Sequence, residues 1–180
     1  MAQVKGSMFI NFAKAINADK KGTYDKYLTD ADRQVLSRLI LQSAWYPYET
    51  YKNCFQAVAA EVAQNDPETL RNWGREYGQQ AMESVYKLAL KKDTPQEAMD
   101  AYQMVLKNQF DFCSMKSRMA SDNEITLTIE GVDSDFESWY YVAQGWIERF
   151  LQLCLKTPVT SEIVDRSWEG APATVFKLSW

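Results

Sequence analysis

Two hydrophobic periods divide the chain. Up to about residue 112 the apolar positions recur every three or four residues, which predicts helices. From residue 113 they alternate instead. Ile125, Leu127 and Ile129 share one face of a predicted strand, and Thr126, Thr128 and Glu130 share the other. Residues 113–120 alternate less cleanly, with Cys113, Met115, Ser117 and Met119 on one side. Ser121-Asp122-Asn123 between the two runs is turn chemistry, so a hairpin is expected. At Phe136 the helical period returns. Phe136, Trp139, Tyr140, Ala143, Trp146, Ile147, Phe150 and Cys154 form a ring-rich stripe, with Glu137, Gln144, Glu148 and Gln152 largely opposite. Asp133-Ser134-Asp135 supplies N-cap candidates, and Thr157-Pro158 stops the helix. Residues 160–168 and 174–180 read as a second hairpin around Gly170 and Pro172. The simplest packing lays the helix across one sheet face, a ββαββ unit.

The preceding residues read as several helices laid against that unit. The stretch from Val4 to Phe12 is either a short strand or a helix beginning near Ser7. Thr29-Asp30-Ala31-Asp32 fits a helix start with Thr29 as cap. Trp45-Tyr46-Pro47 forms an aromatic corner ahead of a helix carrying Tyr51, Phe55, Val58 and Val62. The next helix starts at Asn65-Asp66-Pro67-Glu68, and one face carries Leu70, Trp73, Tyr77, Ala81, Val85 and Leu88. Gly74 and Gly78 lie on that side. A helical glycine costs about 1 kcal/mol against alanine, so close approach of another backbone is the favoured reason for them, ahead of a kink. Thr94-Pro95-Gln96-Glu97 has the residues of a capping box at a further helix start. The fold class expected is α+β, a single domain over 1–180, with a multi-helix half (1–112) packed on a ββαββ antiparallel half (113–180).

Composition removes chemistry more than it adds any. The chain has no histidine, so no Ser-His-Asp or Cys-His nucleophile system can be built. It has no G-x-x-x-x-G-K-[ST] loop and no strand followed by G-x-G-x-x-G. Three widely spaced cysteines, Cys54, Cys113 and Cys154, suit buried reduced thiols better than a zinc site, so no metal is expected. Net charge is −4 with dispersed Lys and Arg, which speaks against nucleic acid and against a polybasic membrane patch. No spanning segment or signal-peptide core is read, and a cytoplasmic protein is expected. What remains is an aromatic surplus of six Trp, ten Tyr and eight Phe. These rings fill a core, line an apolar cavity, or form a dimer patch; if they line a cavity, Trp73, Tyr77, Trp139, Tyr140 and Trp146 are the candidate ligand-pocket residues.

The order of elements resembles one superfamily: the haem nitric-oxide/oxygen-binding domain, the four-vinyl-reductase-type ligand-binding domain and the transport-particle subunits. The likeness rests on Val4-Lys5-Gly6, Trp45-Tyr46-Pro47, Leu70-Arg71-Asn72-Trp73-Gly74-Arg75, Tyr86-Lys87, the Thr94 helix start and the terminal unit ending Phe176-Lys177-Leu178-Ser179-Trp180. It is nearest to a bacterial branch of similar length without the haem ligand. The resemblance implies a non-enzymatic small-molecule-binding or sensor-type signalling domain, often a homodimer, with a hydrophobic small molecule as partner. Haem-binding members use a histidine and a Tyr-x-Ser-x-Arg motif, and this chain has neither, so the expected cofactor is none. The alternative is a protein-protein interaction or dimerisation module with a solid core and no ligand.

Overall fold

The chain opens on a three-residue strand, β1 (Gln3–Lys5), and turns at once into α1 (Gly6–Ala18). Both readings of the Val4-to-Phe12 stretch are therefore realised in succession. Gly6 makes the tight join feasible: a Cβ there would strike the Leu41 carbonyl and lie 2.9 Å from the Tyr46 ring. The computed structural model describes residues 2–83, 92 and 94–180. These form two compact units, one built from the chain up to Asp66 together with Asn108–Phe112, the other from Pro67–Lys107 and Cys113–Trp180.

In the first unit β1 pairs antiparallel with β2 (Trp45–Pro47), Val4 opposite Tyr46. Val4 also bridges Phe110, and the Gln3 amide donates to the Asp111 carboxylate. α1 packs on α3 (Tyr48–Ala63) through rings: Phe12 lies 4.9 Å from Phe55 and 6.0 Å from Tyr51, centroid to centroid. These are the offset and edge contacts that aromatic quadrupoles favour. Val62, expected on the buried stripe of α3, is instead exposed, because Ala59 and Ala63 carry the buried face through the last turn. α2 (Asp30–Leu36) starts as its sequence predicts, with a capping box between Thr29 and Asp32. Asp32 is buried. Burial raises its pKa, but hydrogen bonds from the Thr29 amide, Asn53, Thr50 and the Thr29 hydroxyl outweigh that and hold it below the usual carboxylate range.

The second unit carries α4 (Pro67–Glu83), α5 (Pro95–Gln109), strands β3 (Ser114–Ser121) and β4 (Glu124–Glu130), α6 (Glu137–Leu155), then β5 (Thr160–Asp165) and β6 (Thr174–Ser179). The expected α+β class and ββαββ order are both seen. The strands form one antiparallel sheet in the order β3-β4-β6-β5, so the two hairpins are joined through β4 and β6. Ile125 faces Leu178, and Leu127 faces Phe176, which in turn faces Ile163. All five are buried, which sets the sheet's inner face.

Two boundaries differ from expectation. α6 has Phe136 as its N-cap with no side-chain cap bond, so neither Asp133 nor Asp135 occupies the N-cap position. The Asp133 carbonyl instead accepts the Phe136 amide and makes the turn into the helix. β5 stops at Asp165, and Trp168 sits in a short helical turn (Ser167–Glu169), where the Arg166 carbonyl accepts the Glu169 and Ala171 amides.

The glycines of α4 do mark a close approach. The buried stripe of α4 is Leu70, Gly74, Gly78 and Met82, while Trp73 and Tyr77 flank it half-exposed; the expected Val85 and Leu88 fall outside the described residues. A Cβ on Gly74 would run into the Val142 carbonyl of α6 and lie 2.9 Å from the Trp146 amide nitrogen. Reciprocally, a Cβ on Gly145 would run into the Arg71 carbonyl and lie 3.0 Å from the Arg75 amide nitrogen. A Cβ on Gly78 would lie 3.0 Å from the Trp146 ring and 3.3 Å from the Trp146 carbonyl oxygen. The two helices thus meet backbone to backbone, and neither can recede locally without breaking its own ladder.

Propensity alone would make Gly145→Ala stabilising by about 1 kcal/mol. The crossing reverses the sign: Gly145→Ala and Gly74→Ala should each destabilise by about 2–3 kcal/mol in urea unfolding, whereas Gly78→Ala, whose Cβ would meet no atom closer than 3.0 Å, should cost less. Asp32→Asn should cost about 1–2 kcal/mol at neutral pH. Because the folded carboxylate titrates below its unfolded value, that deficit should be full above about pH 5 and shrink as pH falls below about 4.

Candidate functional site

The polar side of α6 is not a solvated face. Gln144 and Glu148, placed by periodicity opposite the ring stripe, are both buried. That side meets α4 and β5, and the glycine crossing is what brings the backbones close enough for side chains to bridge them. Glu148 is the hub, with only 6% of its side chain exposed. Arg71 of α4 binds both its oxygens, through Nη2 to Oε1 and through Nε to Oε2 at 3.3 Å. Arg75 donates from Nε to Oε2 at 2.8 Å, and the Ser161 hydroxyl of β5 donates to Oε1 at 3.0 Å. Gln144 donates to the Ser161 hydroxyl and carbonyl at 2.9 and 3.2 Å. Arg75 reaches outward to Glu68 and Asn72 at 2.8 and 2.6 Å. Both oxygens of Glu148 accept from two donors each, as a buried carboxylate requires. Such a saturated carboxylate holds three elements in register.

The five ring residues singled out from the sequence all lie in this unit, and the structure groups them in different contacts. Trp139 and Tyr140 touch edge to face at 5.4 Å. Tyr140 packs on Trp168 at 5.1 Å and on Phe176 at 6.3 Å, and its hydroxyl accepts from Ser167 at 3.2 Å. Trp146 packs on Tyr102 of α5 at 5.0 Å, and Tyr102 on Phe150 at 5.3 Å. Trp73 and Tyr77 are half-buried on α4; burial, then the Glu76 charge, raises the Tyr77 phenol pKa. Tyr102 lies outside the five. It is fully enclosed, and burial, then the neighbouring Cys113, pushes its phenol well above the ordinary value.

The three cysteines are all buried thiols. Burial raises the thiols of Cys54 to about 12, with the Asp32 charge adding to it, and of Cys154 to about 11 against the lowering effect of Lys92. One polar atom stands out. Arg149 Nε, next to Glu148 on α6, is buried with no hydrogen-bond partner among the described residues. Among the described residues no cluster of His, Cys, Asp or Glu could hold a metal ion, and no helix is long and apolar enough to cross a membrane.

No protein-family model matches the sequence, and no curated protein does. Solved structures do match. An H-NOX protein from K. algicida, in its Fe(II) unliganded form, is 12% identical, with 97% of this chain and 95% of that chain covered at a TM-score of 0.66. An H-NOX protein from S. oneidensis in the Fe(II)NO state gives 11% identity, 97% and 98% coverage and a TM-score of 0.68. A point mutant of the T. tengcongensis H-NOX protein gives 16%, 97%, 94% and 0.62. The chain therefore has an H-NOX-like fold. Other neighbours come from work on haem distortion in the H-NOX family and on haem redox potential. These neighbours overturn the expectation of no cofactor and point to haem. That expectation leans on the missing imidazole, but imidazole is only one of the axial ligand types haem accepts; thiolate, thioether and phenolate are others.

Glu148→Ala should leave two arginines facing a void and destabilise by about 2–4 kcal/mol, below the fully buried case because both guanidinium groups keep some solvent. Glu148→Gln, which keeps the shape, should cost less. Urea unfolding of the two variants, with Arg71→Ala/Arg75→Ala for the reverse truncation, measures this.

Proposed function

We propose that the chain is a non-enzymatic, sensor-type signalling domain that binds a small apolar ligand, with haem as the first candidate. It would work in the cytosol, as a homodimer. The observation that supports this is the H-NOX-like fold over 97% of the chain, matched by structures whose descriptions concern haem and its ferrous states.

The residues present fit such a ligand in part. The unpartnered Arg149 guanidinium nitrogen suits a carboxylate such as a haem propionate. Trp73, Tyr77, Trp139, Tyr140 and Trp146 would supply ring contacts to an apolar body. The donor set does not fit imidazole ligation, since no histidine exists. A sulfur or phenol oxygen would have to hold the iron, and the buried thiols Cys113 and Cys154 are candidate sulfurs in the second unit. Bound haem would supply the gas-binding iron; the protein's part is to enclose it, exclude water and fix its acid groups.

Titration of the purified protein with haem tests this. A Soret band saturating near one equivalent, weakened by Arg149→Ala, is expected. Native mass spectrometry of gently purified protein tests the wider claim: a co-purified apolar molecule other than haem would keep the sensor reading and replace the ligand. Clean apo protein that takes up no haem would overturn it. One observation favours a second reading, an interaction or dimerisation module with a solid core: Trp146, Tyr102 and Phe150 pack on one another, as do Tyr140, Trp168 and Phe176. That reading expects a concentration-dependent dimer in sedimentation and no ligand.

A further inference from the structure

The segment from Ser37 to Ala44 presents apolar side chains to solvent from a rigid frame. Leu39 is 82% exposed and Leu41 55%, while Ile40 between them is buried. The alternation turns both leucines outward together. Exposure of this kind in a slack loop would mean little, but this loop is bolted down. The Gly6 and Ser7 amides, the open donors at the start of α1, bond the Ala44 and Gln42 carbonyls at 2.8 and 3.0 Å. The Leu41 amide bonds the Tyr46 hydroxyl at 2.7 Å, and the Ala44 amide bonds the Leu41 carbonyl at 3.2 Å. Gly6 has no side chain because the Leu41 carbonyl occupies that space. The frame holds the leucines out at the expense of burying them.

Two cations lie by the patch, and acids occur just outside it, Glu49 exposed in the first turn of α3 and Asp111 accepting the Gln3 amide. Lys5 donates to the Ser43 carbonyl at 3.0 Å, and its ammonium sits 4.3 Å from the centroid of the partly exposed Trp45 ring. Arg38, beside Leu39, is exposed. No acidic residue occurs from Ser37 to Tyr48 or in β1, although the whole chain carries −4. Lys5 and Arg38 stand far apart in the sequence, where no run of cations marks them. Pairing of β1 with β2 sets Lys5 opposite Trp45.

We propose that this loop is a peripheral contact for an anionic membrane surface, with Leu39, Leu41 and the edge of Trp45 entering the headgroup layer and Lys5 and Arg38 meeting its negative charge. Three apolar side chains fall far short of the roughly 800 Å² per partner that a specific protein interface buries. A headgroup layer takes single side chains, and aromatic and aliphatic groups beside cations suit it. Two cations and three apolar groups give a weak, salt-sensitive contact, suited to reversible recruitment.

The test is co-sedimentation of the full chain with phosphatidylcholine vesicles with or without about 30% phosphatidylserine, a strongly anionic mixture. Binding to the mixed vesicles only, lost at high salt, is expected. Leu39→Ser/Leu41→Ser should lower the partition coefficient by about tenfold, as should Arg38→Glu at low salt. The altered residues are exposed, so thermal melting should match the parent and exclude misfolding as the cause. A parent protein that stays in the supernatant with anionic vesicles, or a double serine variant that binds as the parent does, would overturn the proposal. The same result with zwitterionic vesicles would overturn its electrostatic half.

Discussion

Two helices that touch through bare backbone impose the main constraint on the second unit. Gly74 and Gly145 each sit where the other helix's carbonyl leaves no room for a Cβ. Once α4 and α6 are that close, side chains on the polar faces of both lose water and must satisfy one another. Arg71, Arg75, Gln144, Glu148 and Ser161 do so as a set. The ion cluster is thus a result of the crossing, and it also locks it, because sliding either helix by one turn would strand a buried charge.

That crossing explains why α6 is buried nearly all the way round. Its ring stripe covers the inner face of the sheet and meets α5, and its polar stripe is sealed by α4 and β5. A helix enclosed on both sides cannot shift alone; movement would carry α4 and the edge strand with it. Any ligand response in this unit would then move a block of three elements as one piece.

Much of the fold is legible in the sequence, and each failure has a physical cause. The β4 alternation and the α6 ring stripe yield the ββαββ order, because both faces of each element differ sharply in polarity. The glycine pair on α4 announces close packing. The polar hub escapes notice because periodicity reads a Glu and a Gln opposite an apolar stripe as solvent-facing. The one signal is Gly145, a glycine in the middle of that supposedly wet face, with Arg71 and Arg75 spaced one helical turn apart on the helix that also holds Gly74. On α4 the expected buried face includes Trp73 and Tyr77 because large rings weigh more in a periodicity reading than glycine does. Residue type alone makes Asp133 and Asp135 caps, while the backbone turn ahead of α6 uses a carbonyl instead. The cofactor expectation fails for a different reason: lack of one ligand type is not lack of every ligand type.

The first unit is closed by residues made late. Val4 bridges Phe110, Gln3 bonds Asp111, and the Ser7 hydroxyl donates to Gln109 at 2.6 Å, contacts that span 102 residues and more. Between them the chain leaves to build α4 and most of α5. During synthesis α1, α2 and α3 would emerge with their seam still open, and only arrival of residue 112 could seal it. A ribosome-stalled fragment ending at Asp66 would hold all three helices yet lack the strip that shuts them.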